Sequence, residues 1–264
     1  MKSKDLIILA IVLLSVLAIA LTVGFVFLLR GNYNIINLRF DFSDSSMELI
    51  NSKEVQSSLI NNIDVKLFST DVELKKSENE NIRVELYSNN DNNLRIEVTE
   101  DVVKIEETEN REVRIGFNNR KKAIIYVPEN YLGEFNLVTT SSDINSEIDL
   151  VSNKINIVTT SGDIELNNIG ESNIVATSGD VWIGKASKTI DIKSTSGDID
   201  IEELDLKENS KIETTSGDIN INNNTCNCYI EVETTSGDEY INKYDRKSEI
   251  ELKIKTISGD ISVN

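Results

Sequence analysis

The chain has 264 residues, 39% of them hydrophobic, with 27 basic and 45 acidic side chains and a formal net charge of −18. That apolar share can bury a core, so disorder is not the expected state, and the acidic balance repels nucleic acid and anionic lipid. Because there is no histidine, Ser-His and Cys-His nucleophile pairs are excluded.

Residues 1–5 form a short N-terminal tail. Leu6 to Leu29 is an uncharged run broken only by Ser15, Thr22 and Gly24. As a helix rising ~1.5 Å per residue it spans ~36 Å, against ~30 Å of hydrocarbon. This predicts an uncleaved transmembrane helix over 6–29. A signal peptide has a shorter apolar core of ~7–15 residues and a small-residue cleavage site, whereas this run closes on Phe27-Leu28-Leu29-Arg30. Lys2 and Lys4 precede it and only Arg30 lies close behind, which favours a cytoplasmic N-terminus. The expected location is therefore the cell membrane, single-pass, with the C-terminal domain extracytoplasmic. Residues 31–264 then carry 24 basic and 44 acidic side chains, a surface that is well solvated or attractive to a basic partner.

Residues 30–62 have no clear period and suggest a juxtamembrane stalk. Ser45-Ser46-Met47-Glu48 matches a capping box, and Ile50, Val55 and Leu59 follow, so a short helix is expected there. From Ile63 the apolar residues alternate: Ile63, Val65, Leu67; Val72, Leu74; Ile82, Val84, Leu86; Leu94, Ile96, Val98. Each group predicts a half-buried strand. Pro128 follows Ala123 to Val127 and ends a strand, because it cannot donate to a ladder.

The most regular region begins at 135. A Thr-Ser-Gly-Asp-Ile phrase, or a close variant, recurs with its aspartate at Asp143, Asp163, Asp180, Asp198, Asp218, Asp238 and Asp260. Successive spacings are 20, 17, 18, 20, 20 and 22 residues. A period near 20 marks a stacked repeat, and the Leu-x-x-Leu-x-Leu frame of leucine-rich repeats is missing. Each unit holds two alternating runs around one turn, such as Ile155-x-Ile157-x-Thr159 and Ile164-x-Leu166. The predicted fold is all-β: a single-span N-terminal transmembrane helix followed by a β-solenoid of stacked ~20-residue coils over 63–264.

Stacking places like residues above like at ~4.8 Å. Counting by twos puts Thr159, Thr214 and Thr234 inward, followed by Ser161, Ser216 and Ser236 as a hydroxyl ladder at the corner. Glycine supplies positive φ, and aspartate caps backbone N–H groups near its own turn. A calcium ladder is the alternative use of the aspartates, although one carboxylate per coil is sparse for an ion that takes ~6–8 oxygens. Glu239 stands at an inward apolar position and predicts a shifted or bulged coil. Trp182 faces out by parity and is either an ordinary exposed aromatic or a stacking platform for a sugar or partner. Cys226 and Cys228 are either two small buried residues or a local disulfide; two cysteines make a poor zinc site.

The run Ile124-Ile125-Tyr126-Val127-Pro128, then Phe135-x-Leu137-x-Thr139-Thr140 and the tandem Thr-Ser-Gly-Asp-Ile units, resembles the bacterial "putative adhesin" β-strand-repeat family, similar to the toastrack β-solenoids. The resemblance covers about Ile63 to Asn264 and implies a cell-envelope location with no enzymatic residues to carry over. Ser142, Glu239 and Ile257 depart from the pattern.

No catalytic, cofactor-binding or metal-ligating residues are expected. The reading that follows is a non-catalytic scaffold or sensor with an envelope protein partner and a membrane anchor, and no nucleic acid. Docking is expected at the terminal coil, where Leu252, Ile254, Ile261 and Val263 end the chain without a polar cap. Surface adhesion or glycan binding, calcium-supported, is the alternative. A carbohydrate-active enzyme is disfavoured because coils this short leave few positions for loop walls.

Overall fold

The computed structural model describes residues 39–40, 46–89, 93–108, 114–115, 120–242 and 247–264. The transmembrane helix expected at 6–29 lies outside them, and among the described residues no helix is long and apolar enough to cross a membrane. The chain divides into two units. The first comprises Met1–Asp41 with Arg111–Gly116, and its described part is a parallel pairing of Arg39–Phe40 with Arg114–Ile115. The second comprises Phe42–Asn110 with Phe117–Asn264.

The described part of the second unit is β apart from a 3-10 turn at Ser57–Leu59. Alternating isoleucine, valine and leucine side chains are what a pleated strand buries on one face, and here two strands per coil turn those faces toward each other. The leading strand comes before the corner and the trailing strand after it. In space, the coils stack in an order that differs from the order along the chain.

Coil one is Val102–Glu107 with Lys121–Val127, and coil two is Asn62–Leu67 with Asp71–Lys76. Coil three is Glu134–Ser141 with Ile144–Ser146. Coil four is Leu150–Ser161 with the first half of Ile164–Ser178; the second half leads coil five, which Val181–Ala186 completes. Coil six is Ile190–Ser196 with Ile199–Leu204, and coil seven is Ser210–Glu213 with Ile219–Asn224. Coil eight is Glu251–Ser258 with Ile261–Val263, and it lies between coil seven and coil nine, Tyr229–Ser236 with Glu239–Ile241. The earliest and the latest coils of the chain are thus each second from an end.

The core is a set of vertical rows. Ile63, Phe135, Ile155, Ile190 and Leu252 occupy one row, with exposures of 0–1%. In the trailing strands Val72, Ile144, Ile164, Val181, Ile199, Ile219 and Ile261 form another, also at 0–1%. Each such side chain contributes about 1.5–3 kcal/mol by leaving water. At the coil-one end both sheets continue with antiparallel strands. Leu94–Thr99 pairs with the leading strand, Asn81–Ser88 with the trailing strand, and Glu48–Gln56 lies outside that. Residues 48–56 are therefore a margin strand, not the short helix expected from the capping box. Pairing with Asn81–Ser88 satisfies their backbone, and a mostly exposed strand has no helical stripe to bury.

Candidate functional site: the aspartate corner and the end coil

The recurring aspartates form one continuous column. Asp71 Oδ1 accepts the backbone N–H of Asp143 at 3.2 Å, Asp143 that of Asp163 at 3.0 Å, and Asp163 that of Asp180 at 2.9 Å. The series continues at 2.8 Å through Asp180 to Asp198, Asp198 to Asp218, Asp218 to Asp260 and Asp260 to Asp238. A backbone bond runs the opposite way at every step. The N–H of Val181, for example, donates to the carbonyl of Asp198, and that of Ile261 to the carbonyl of Asp238, both at 2.9 Å. Each aspartate therefore cross-braces two coils through a charge-assisted bond, rather than capping its own turn. Asp71, in the corner Phe68-Ser69-Thr70-Asp71, is an eighth member that the repeat pattern did not pick out.

The glycine that precedes six of the eight aspartates is required twice over. Gly162, Gly179, Gly197, Gly217, Gly237 and Gly259 have φ between 110° and 157°, a region that L side chains rarely enter. At Gly197 an added Cβ would also collide with the carbonyl of Gly179 below. The inward threonine row is present: Thr139, Thr159, Thr214 and Thr256 are 0–4% exposed, and Thr139 Oγ1 donates to Thr159 Oγ1 at 2.9 Å. The serines behave otherwise. Ser216 and Ser236 are exposed, as are Ser141, Ser178, Ser196 and Ser258, and Ser161 is only half-buried, because the chain has already begun to turn after the inward threonine. The expected serine ladder is replaced by inward hydroxyls bonded to corner carbonyls, as from Thr159 to Ser161 at 3.0 Å and from Ser194 to Ser196 at 3.3 Å.

The sequence between the two strands of coil one holds no Thr-Ser-Gly-Asp phrase, and an ion pair joins the strand ends there. Glu107 ends the leading strand and Lys121 begins the trailing one; their charges meet at 2.7 Å with side chains 3% and 4% exposed. Glu107 Oε2 also accepts the N–H groups of Phe68 at 2.8 Å and Ser69 at 3.0 Å, and the hydroxyl of Thr70 at 3.0 Å. Burial opposes its charge, yet the bonds from Lys121, Ser69 and Phe68 outweigh that and hold the carboxyl below its ordinary range.

Among the described residues, coil nine ends the stack. Glu239 stands in register with Ile261 and Ile241 with Val263, so the expected bulge is absent. Glu239 is polar because no described coil lies beyond it: its side chain is exposed and accepts the N–H of Thr234 at 3.2 Å. Leu252, Ile254, Ile261 and Val263, expected to form the docking end, are interior at 0–1% exposure because coil eight is inserted between two others.

Cys226 and Cys228 are bonded to each other and buried at 2% and 0%. Trp182 is 36% exposed on the trailing face, between Glu165 and Asp200 of the adjacent coils. At the opposite corner a cavity of about 200 Å³ is lined by residues including Lys76, Pro128, Glu129, Glu147 and Asp149, with Lys76 and Glu129 paired at 2.7 Å. Among the described residues no group of three or more acidic or cysteine side chains converges on a common point.

Parallel coils joined by a self-bonding corner define a solenoid-like β-repeat, and among the described residues the only helix is the 3-10 turn at Ser57–Leu59. The Toastrack DUF4097 family matches residues 60–264, and the chain belongs to that family. A "putative adhesin" from Parabacteroides distasonis is similar in fold, with a TM-score of 0.51 and 14% identity over 86% of this chain and 100% of that one. A "putative cell adhesion protein" from Clostridium sporogenes gives 0.39 and 13% over 83% and 99%. A "putative lipid binding protein" from Parabacteroides distasonis gives 0.39 and 14% over 86% and 100%. No curated protein matches the chain.

Proposed function

We propose that the protein is a membrane-anchored, non-catalytic interaction scaffold or sensor of the cell envelope, with the coils outside the membrane. One observation carries this reading: from Asp71 to Asp260 each corner carboxylate is engaged by the backbone of the next coil. The most repeated chemical group in the chain therefore holds the stack together instead of assembling a reaction centre. The apolar run at 6–29 supplies the anchor, and a buried disulfide suits an oxidising compartment.

Proximity labelling from the anchored protein in its native membrane tests this reading. A small set of envelope proteins, enriched over a control carrying residues 1–62 alone, is expected. Equal labelling by both would count against a scaffold, and turnover of any polysaccharide in a panel would count against a non-catalytic role. Adhesion through glycans is the second reading, favoured by Trp182, which is exposed between Glu165 and Asp200. It predicts glycan-array binding that Trp182→Ala abolishes.

A further inference from the structure

Coil nine differs from all the others in having a partner on one side only. Among the described residues, its strands Tyr229–Ser236 and Glu239–Ile241 pair with coil eight and with nothing beyond. In parallel strands, backbone groups of alternate residues point to opposite neighbours. The N–H of Tyr229 points back to Ile250, so those of Ile230 and Val232 point outward along the open edge. The N–H of Thr234, next in that series, is held by the carboxylate of Glu239 from the same coil. The apolar row is also uncovered here. Val232 and Ile241 are half-buried, whereas the same positions in coil eight, Ile254 and Val263, are 1% and 0% exposed.

The charges along this edge select a partner. On the outward face, Lys193, Glu213, Lys255 and Glu233 lie in register in successive coils, alternating in sign. Beside them run Asp191, Lys211, Lys253 and Glu231. Both rows end at the open edge on a glutamate. Coil eight shows what satisfies those glutamates: within Leu252-Lys253-Ile254-Lys255, Lys255 reaches Glu233 at 2.9 Å and Lys253 reaches Glu231 at 3.2 Å while Leu252 and Ile254 cover the core. A second copy meeting edge to edge would bring Glu231, Glu233 and Glu239 against the same three residues, an arrangement that like charges disfavour.

We propose that the open edge of coil nine accepts an extended segment of another envelope protein that alternates basic and apolar residues, adding a tenth layer to the stack. Its backbone takes up the N–H groups of Ile230 and Val232, its apolar side chains cover Val232 and Ile241, and its cations meet Glu231 and Glu233. The inference rests on the interaction-scaffold reading and specifies the chemistry of the partner.

The test uses the full chain in lipid nanodiscs and a short fluorescent peptide alternating lysine with valine, followed by fluorescence anisotropy. Saturable binding is expected. Glu231→Gln with Glu233→Gln should weaken it by about tenfold or more, while Glu97→Gln with Glu100→Gln, at the other end of the stack, should leave it unchanged. Methylation of alternate peptide nitrogens, or scrambling the same composition into separate lysine and valine blocks, should abolish it. The proposal is overturned by absence of binding, by equal binding of the scrambled or methylated peptide, or by equal effects of the two double variants. A dimer in sedimentation that Val232→Lys dissolves would also overturn it, in favour of a second copy. If the peptide fails while proximity labelling still recovers envelope proteins, edge docking falls and the scaffold reading stands; if both fail, both fall.

Discussion

Replacing Gly197 by alanine probes the corner at its tightest point. Gly197 has φ of 124°, and holding an L residue there costs about 1–3 kcal/mol. The new methyl would collide with the carbonyl of Gly179 and lie 3.1 Å from Asp180 Oδ1, the acceptor of the Asp198 N–H. Opening that step strains two coil-to-coil hydrogen bonds, worth about 0.5–1.5 kcal/mol each. The total is about 4 kcal/mol. For a unit of this size that lowers the melting temperature by roughly 8–16 °C. Circular dichroism of the full chain in detergent micelles measures it, with Ser142→Gly as the reference. Ser142 occupies the glycine place of coil three without positive φ, so its replacement should cost only about 0.5–1 kcal/mol. Equal, small effects at the two positions would refute the claim that close stacking dictates the glycines.

Asp198→Ala removes the acceptor for Asp218 and should cost about 1 kcal/mol, since water reaches the exposed corner; Asp198→Asn, which keeps an oxygen, should cost less in the same melt. Glu107→Gln removes the carboxylate that meets Lys121 at 2.7 Å and accepts the Phe68 and Ser69 N–H groups, so it should destabilise the fold at neutral pH. Because the folded-state pKa of Glu107 lies below its unfolded value, that stabilisation is present above pH ~4.3 and lost as the pH falls through the folded value. Acid titration should therefore show wild type and variant converging below pH ~4, and a constant gap would contradict the ion pair's role. Excess chelator should leave the melting temperature unmoved. A calcium ladder occupied at a hundredfold over its dissociation constant would instead lose about 2.7 kcal/mol, a drop of several degrees.

The coils and the aspartate column are legible in the residues alone, through the period of the Thr-Ser-Gly-Asp-Ile turn and the alternation around it. Asp71 escaped because its corner, Phe68-Ser69-Thr70, has neither glycine nor the repeated phrase, and it is recognisable only through its bond to Asp143. The order of coils was not legible for a related reason. Units that bury the same isoleucine rows fit on one another in any sequence, so alternation cannot say that residues 251–263 slip between 210–224 and 229–241. Glu239 was the available clue, since an inward carboxylate is tolerable only where no coil covers it. The serines were misplaced because strand parity was carried past the point where the backbone turns. Glu107 and Lys121 left no trace in the repeat, being the device used where the repeat is missing.

Which coil ends the stack decides which edge is open, and engineered disulfides read that directly. Ser258 lies beside both Ser216 and Ser236, while Ser216 and Ser236 are two layers apart, on the order of 9–10 Å. Oxidation of the full chain should crosslink Ser216→Cys with Ser258→Cys, and Ser236→Cys with Ser258→Cys, but not Ser216→Cys with Ser236→Cys. Efficient bonding between positions 216 and 236, with none between 216 and 258, would mean that the coils stack in chain order and that coil nine is not the free edge.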